Sequence, residues 1–313
     1  MVGNDNQAMT SNLHSTAVRE GSVALPDWGV IRATGADARS FLHGQLTQDV
    51  LGLDVGEARL AGLCSPKGRL IASFVMWGDP AGDVLLACSA DLLPATLKRL
   101  SMYVLRAKCR LVDASAELPL HGIVGAALPP GLPVWRTAPA GGGLMIRLPD
   151  AMGLARGLWI GSGEPPAPAG PGLQAWQWLE ACSGVPRVVA ATVDQFVPQM
   201  VNMELVGGVN FQKGCYPGQE VVARSQYRGT LKRRAFVLES AQAMTPGQEV
   251  FDAADPQQPA GMVVLAGSAD GQRHAALAEL KIASASSELH AGAADGPLLR
   301  LGTLPYPLPT GAA

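Results

Sequence analysis

Apolar positions along this chain fall into short runs punctuated by turn residues, and few runs have helical spacing. Asp27-Trp28-Gly29-Val30-Ile31-Arg32 reads as a strand. Thr34-Gly35-Ala36-Asp37 ends it and offers a cap to a helix with Ala38, Phe41, Leu42 and Leu46 on one face. Ala58 to Cys64 and Arg69 to Trp77 are apolar runs joined by Ser65-Pro66-Lys67-Gly68, which has hairpin turn chemistry. A strand over Asp83 to Cys88 leads into a helix over Leu92 to Val104 whose wet side carries Lys98 and Arg99. Strand-like runs follow at Cys109 to Val112, Gly122 to Ala127, Leu144 to Leu148 and Gly157 to Ile160. Residues 161–172 are rich in proline and glycine and read as a surface connector. Leu173 to Cys182 returns as a helix with Trp176 and Leu179 on one side. Residues 184–229 are mostly irregular and dense in specific side chains, a pattern more often functional than connective. Short strands then recur at Arg234 to Leu238, Gly261 to Leu265, Ala275 to Ile282 and Leu298 to Leu301, separated by Gly, Pro and Asp turns. That spacing predicts a small β-barrel or sandwich.

The order of elements predicts a loose tail over 1–22, an α+β region over 23–229 and a C-terminal β domain over 230–313. With 48% hydrophobic and 16% charged residues the chain is globular rather than disordered. A formal net charge of -2 argues against a protein built mainly to coat nucleic acid. Its five cysteines, Cys64, Cys88, Cys109, Cys182 and Cys215, stand far apart with no C-x-x-C pair. They offer no local metal spacing and fit a reducing compartment. The first twenty residues show no signal-peptide core, and no window approaches the roughly 18 apolar residues needed to span a bilayer. A cytoplasmic location without membrane association is expected.

The densest chemistry lies at Lys213-Gly214-Cys215-Tyr216-Pro217-Gly218-Gln219-Glu220. Here a thiol sits between two glycines, and Gly218 to Arg224 reads as the opening of a helix. A helix N-terminus, Lys213 and Arg224 all favour thiolate, so Cys215 is a candidate reactive or ligand-facing residue; the alternative is a small buried hydrophobe. The histidines, at 14, 43, 121, 274 and 290, supply no local partner for Cys–His acyl transfer. Arg224, Arg228, Lys232, Arg233 and Arg234 could form a phosphate or RNA patch or a solvated strand edge. Strand alternation splits Arg233 from Lys232 and Arg234, and aromatic residues are sparse among them, so direct nucleic-acid binding is not expected. Trp28, Trp176 and Trp178 are candidates for stacking on a flat heterocycle. Glu180 follows Trp176 by one helical turn, a pairing suited to a pterin edge or, alternatively, to a solvated helix face.

Phe196-Val197-Pro198-Gln199-Met200-Val201-Asn202, Gly207-Gly208-Val209-Asn210-Phe211-Gln212 and KGCYPGQEVVARSQYRGTLKR closely resemble the signature of the YgfZ-type folate-binding proteins. Asp27-Trp28, Thr34-Gly35-Ala36-Asp37, Gly44-Gln45-Leu46-Thr47-Gln48-Asp49-Val50, Pro66-Lys67-Gly68-Arg69 and Leu304-Pro305-Tyr306 extend the likeness from about residue 23 to the C-terminal end. The resemblance implies a fold like the T-protein of the glycine cleavage system, an aminomethyltransferase. In that fold two related α+β lobes surround a folate channel and a C-terminal β-barrel completes the ring. It also implies tetrahydrofolate as cofactor and a role in assembly or repair of iron-sulfur enzymes, notably radical enzymes that thiolate tRNA. On the same ground Trp28 and Trp176 fall on folate-contacting positions and Cys215 on the motif thiol. Lys213, Gly214, Tyr216, Gly218, Gln219, Glu220, Arg224 and Arg228 fill the rest of the motif, and no metal ligand is implied.

Two departures bear on function. Many relatives carry Glu-Ala-Gly leading into the proline that is Pro186 here. Counting back without a gap puts Cys182 at the Glu position, with Glu180 two residues earlier and rotated by roughly 200°. The related aminomethyltransferases place a carboxylate just after a Gly-rich turn, whereas Gly68-Arg69-Leu70-Ile71-Ala72-Ser73-Phe74-Val75 contains no acid. An accessory factor without classical turnover is therefore the leading expectation, and a folate-dependent one-carbon transferase the alternative. The thiol is expected as one wall of the folate pocket.

Overall fold

β4 (Leu70–Gly78) and β5 (Val84–Ser89) are apolar at nearly every position because both of their faces are covered. In the computed structural model, which describes residues 18–227 and 231–309, Ala72, Phe74, Met76, Val84, Leu86 and Cys88 form one core with α1 (Ala38–His43) and α2 (Leu93–Val104). Val75, Trp77, Leu85 and Ala87 point the other way, into a second core shared with the other lobe. Together with β2 (Trp28–Thr34), β3 (Ala58–Cys64) and β6 (Arg110–Asp113) these strands make an antiparallel sheet of order β3-β4-β5-β2-β6.

The second lobe is a sheet of β1 (Gly21–Ala24), β7 (Leu120–Val124), β8 (Thr137–Ala140), β9 (Gly143–Ala151) and β10 (Leu154–Ile160), ordered β1-β7-β10-β9-β8. α3 (Leu173–Cys182) lies against this sheet, and Trp176 rests flat on β7 at Gly122, where a Cβ would come within 2.5 Å of the indole. The other side of α3 packs on a closed six-stranded barrel. The barrel runs β11 (Arg233–Ser240), β14 (His274–Lys281), β13 (Asp255–Ser268), β12 (Glu249–Asp252), β15 (Leu289–Ala291) and β16 (Leu298–Leu301), around Phe236, Leu238, Val250, Val263 and Leu280. The architecture is thus the expected α+β one, two lobes and a C-terminal barrel.

Three local expectations change. Of the tail expected over 1–22, residues 1–17 lie outside the described residues, and Gly21–Ala24 forms β1 on the edge of the second sheet, held by backbone pairing that polar composition does not prevent. The 161–172 connector is tied down through Ala169, which bridges Ser22, and through a hydrogen bond from Ser22 N to Pro168 O (2.8 Å). Residues 184–227 contain two 3-10 turns, Ala190–Thr192 and Pro198–Val201, and α4 (Gln219–Tyr227). No helix among the described residues is long and apolar enough to cross a membrane.

Candidate functional site

The inner face of the first sheet and the second lobe line a narrow cavity of about 30 Å³. Leu60, Ser73, Phe74 and Val75 form one wall, while Trp28, Trp135, Arg156, Trp176, Glu180 and Arg187 contribute its aromatic and charged groups. Trp135 holds left-handed backbone (φ 63°), a conformation that costs a bulky residue about 1–2 kcal/mol and that the surrounding packing must impose.

Glu180 and Arg187 are joined by two hydrogen bonds, Nε to Oε1 at 2.6 Å and Nη2 to Oε2 at 2.9 Å. Arg187 also donates to Asp27 Oδ2 (3.0 Å) and Ser89 Oγ (3.1 Å), and its guanidinium lies 4.7 Å from the centroid of the Trp28 ring. Burial opposes the Arg187 charge, but Glu180 and Asp27 outweigh it and hold the guanidinium above its ordinary pKa. The Glu180–Arg187 pair also lines a wider recess bounded by Gln174, Gln177, Met244 and Thr245, so it stands as a partition between the two spaces. The indole N–H groups of Trp28 and Trp176 are buried without hydrogen-bond partners. The slot is narrow and apolar, and its polar groups are buried donors and one carboxylate, the pair of functions that the edge of a flat heterocycle would match once the slot widens to admit it.

The two-residue rotation expected for Glu180 does not remove it from the cavity. Cys182 ends α3 and Ser183 caps it, so the two residues that separate Glu180-Ala181 from Gly184-Val185-Pro186 extend the helix beyond Glu180 without turning Glu180 itself. Trp178, by contrast, is absent from the cavity lining and faces a recess with Met152 and Arg273.

The Cys215 loop lies elsewhere. Lys213 Nζ donates to the carbonyl oxygens of His43 and Leu46 (3.0 Å for Leu46) and sits 4.9 Å from the centroid of the Tyr216 ring. Burial pulls the Lys213 ammonium down to about 8, against the opposing pull of Asp49 and Cys215. Tyr216 is buried beside Cys64, Leu70 and Val222. Gly218 (φ 78°) and Gly68 (φ 72°) meet back to back; a Cβ on Gly218 would fall 2.4 Å from Ser65 O and 2.7 Å from the Gly68 Cα. The loop is thereby locked on the hairpin turn of β3 and β4, and Cys215 is left exposed. It does not line the cavity, which corrects the expectation of a thiol wall. Gly68 and Ser73 are five residues apart, roughly 16 Å of extended strand. The structure does bring a histidine to the loop: His43 Nε2 would lie 3.6 Å from a Cβ on Gly214, and its Nδ1 is 3.0 Å from Asp49 Oδ1. Among the described residues no group of three or more His, Cys, Asp or Glu side chains is arranged to hold a metal.

The motif's other charges are committed. Arg224 pairs with Glu220 (3.0 Å) on the exposed face of α4, whose first residue is Gln219; Arg228 lies outside the described residues. Arg233 bonds both oxygens of Glu279 (2.8 and 2.9 Å), and Arg234 is buried against Glu204.

Over 250 residues the chain is 32% identical to the tRNA-modifying protein YgfZ of Edwardsiella ictaluri, an alignment covering 71% of this chain and 72% of that one. This chain belongs to the YgfZ family. The tRNA-modifying protein YgfZ of an Enterobacter species is 29% identical over 249 residues, with 72% and 73% of the two chains covered. No family model matches the chain. In fold the YgfZ-family chain is similar to the glycine cleavage system aminomethyltransferase T of Bartonella henselae, with a TM-score of 0.67 over 95% of this chain and 88% of that one at 16% identity.

Arg156, Arg187 and Trp135 escaped the sequence reading, and His43 figured in it only as a histidine distant in sequence from Cys215. Only Arg187 carried a signal, a cation next to Pro186 inside the apolar run Val185 to Ala190.

Proposed function

We propose that the cavity between the lobes binds a reduced folate. In this reading the protein acts in the cytoplasm as an accessory factor for maturation or repair of iron-sulfur enzymes, supporting tRNA methylthiolation through them. The observation that carries the folate reading is one narrow slot lined by Trp28, Trp176 and a buried carboxylate, with both indole N–H groups unpartnered. Trp28 and Trp176 wall the pterin, and Glu180, already oriented by Arg187, accepts from its amino and amide edge. Glu180 is the only carboxylate in the lining, and its tie to Arg187 favours a binding role over the proton-handling role of a transferase acid. The tRNA-modifying designation of the relatives supports the second half of the reading. Cys215, exposed beside Lys213 and His43, is the thiol that meets a client or its cluster.

Titrating tetrahydrofolate against intrinsic tryptophan fluorescence tests the cavity. Saturable binding that weakens in Trp28→Ala and Trp176→Ala is expected; no saturable change in the unmodified protein would remove the reading. For the cellular role, loss of the protein should deplete 2-methylthio groups on tRNA, and Cys215→Ala should fail to restore them. Full rescue by that variant would overturn the thiol assignment.

A further inference from the structure

Arg156, on β10, projects into the cavity wall and is only 2% exposed. Buried guanidinium groups are ordinarily matched by carboxylates, as Arg187 is by Glu180 and Arg234 by Glu204. Arg156 is not: its Nε donates to Pro149 O (3.2 Å), its guanidinium lies 5.3 Å from the centroid of the Trp176 ring, and its Nη1 has no hydrogen-bond partner. Glu180 attracts it from a distance, but both Glu180 oxygens are held by Arg187. Burial lowers the Arg156 pKa to about 10, which leaves the group charged at neutral pH. The lining therefore carries two guanidinium groups against one carboxylate, and Arg156, Trp28 and Trp176 each bring it a residue with an unpartnered buried donor.

An unmatched buried charge is destabilising, and it persists in a fold only where something else requires it. We propose that Arg156 anchors an acceptor group of the cavity's ligand, the ring oxo group or an anionic carboxylate, and so selects for a heterocycle that carries one. This deepens the folate reading and rests on it. Glu180 then meets the donor edge of the ligand and Arg156 an acceptor, so the two charged groups fix its orientation in the slot.

The test uses the full-length chain, tetrahydrofolate, and the variants Arg156→Met and Arg156→Lys, with melting temperature and dissociation constant as separate readouts. Because Met keeps the apolar stem and removes the buried charge, ligand-free Arg156→Met should melt no lower than the unmodified protein. It should nevertheless bind tetrahydrofolate about tenfold or more weakly, the effect of one charge-assisted hydrogen bond in a dry site. Arg156→Lys should keep part of that affinity. A 2,4-diamino pteridine analogue, with an amino group in place of the ring oxo, separates the two acceptor sources. Its affinity is unmoved by Arg156→Met if the ring oxo is the contact and still falls if a carboxylate is. Unchanged tetrahydrofolate binding in Arg156→Met would overturn the anchor and leave the folate reading standing. A lowered melting temperature with equal loss of binding in both variants would assign Arg156 to structure and also overturn it. Failure of the unmodified protein to bind would remove both.

Discussion

Arg187→Met should be among the most damaging single substitutions in this protein, and the structure indicates how much and why. The change removes the cation from two carboxylates, but unequally: the Asp27 side chain is 27% exposed and recovers water, whereas that of Glu180 is 9% exposed and does not. Stripping a buried charge of its partner costs roughly 3–5 kcal/mol. At about 2–4 °C per kcal/mol, appropriate to chains of 150–250 residues, this lowers the melting temperature by roughly 6–20 °C. Glu180→Gln should cost less, because Arg187 keeps Asp27 and Ser89. The decisive measurement is the double variant. With both charges gone the uncompensated carboxylate disappears, so Arg187→Met with Glu180→Gln should lose less than the sum of the singles by about 1–3 kcal/mol. Thermal and urea melts of the four proteins supply the cycle. A single Arg187→Met change of under about 2 °C, or additivity within about 0.5 kcal/mol, would mean that water reaches Glu180 and that the pair does not close the partition.

Gly218→Ala forces a side chain into left-handed backbone and against Ser65 O, and should cost roughly 2 kcal/mol or more in urea unfolding. Gly214→Ala, whose Cβ makes an ordinary 3.6 Å contact with His43, should be nearly neutral; equal losses would break the account of the loop's docking. Lys213 titrates near 8 in the folded protein and at 10.5 when unfolded, so above pH 8 the folded state sheds its proton first. Its burden therefore falls as pH rises from about 8 towards 10.5, and the native chain should gain melting temperature relative to Lys213→Met over that window; a pH-independent difference would contradict the burial of the ammonium. Burial pushes the thiols of Cys64, Cys88 and Cys182 up to about 12 and raises that of Cys109, while Cys215 is exposed. Iodoacetamide at neutral pH should label Cys215 well before those buried three, as read by mass spectrometry, and uniform labelling would refute the placement.

What the sequence disclosed tracks how much of each element's information is carried by its own side chains. β3, α3 and β16 are found at the expected bounds because their apolar runs or helical spacing are bounded by turn residues on each side. β1, β8, β12 and β15 are three or four residues long and carry too little pattern, and backbone pairing alone makes them strands. β13 begins earlier than its apolar core, at Asp255, because its two prolines fall in a stretch where the pairing with β12 is irregular. The site divides in the same way. Trp28, Trp176 and Glu180 were visible as candidates, two of them through a shared helix face, and the fold brings all three to one cavity. Arg156 looks like any strand arginine until the two lobes close over it. His43 meets the Cys215 loop only because Lys213, 170 residues later, is tied to its carbonyl.

β4 joins the two places where chemistry is concentrated. The middle of the strand, at Ser73 to Val75, forms cavity wall; its first residues follow Gly68, which is wedged against Gly218 three residues from the thiol. Because β4 is packed on both faces it behaves as a stiff rod, and close-packed interiors pass displacement along instead of absorbing it. The two places are therefore built on one strand, so a substitution in the Ser65–Gly68 turn bears on both the cavity wall and the seat of the cysteine loop.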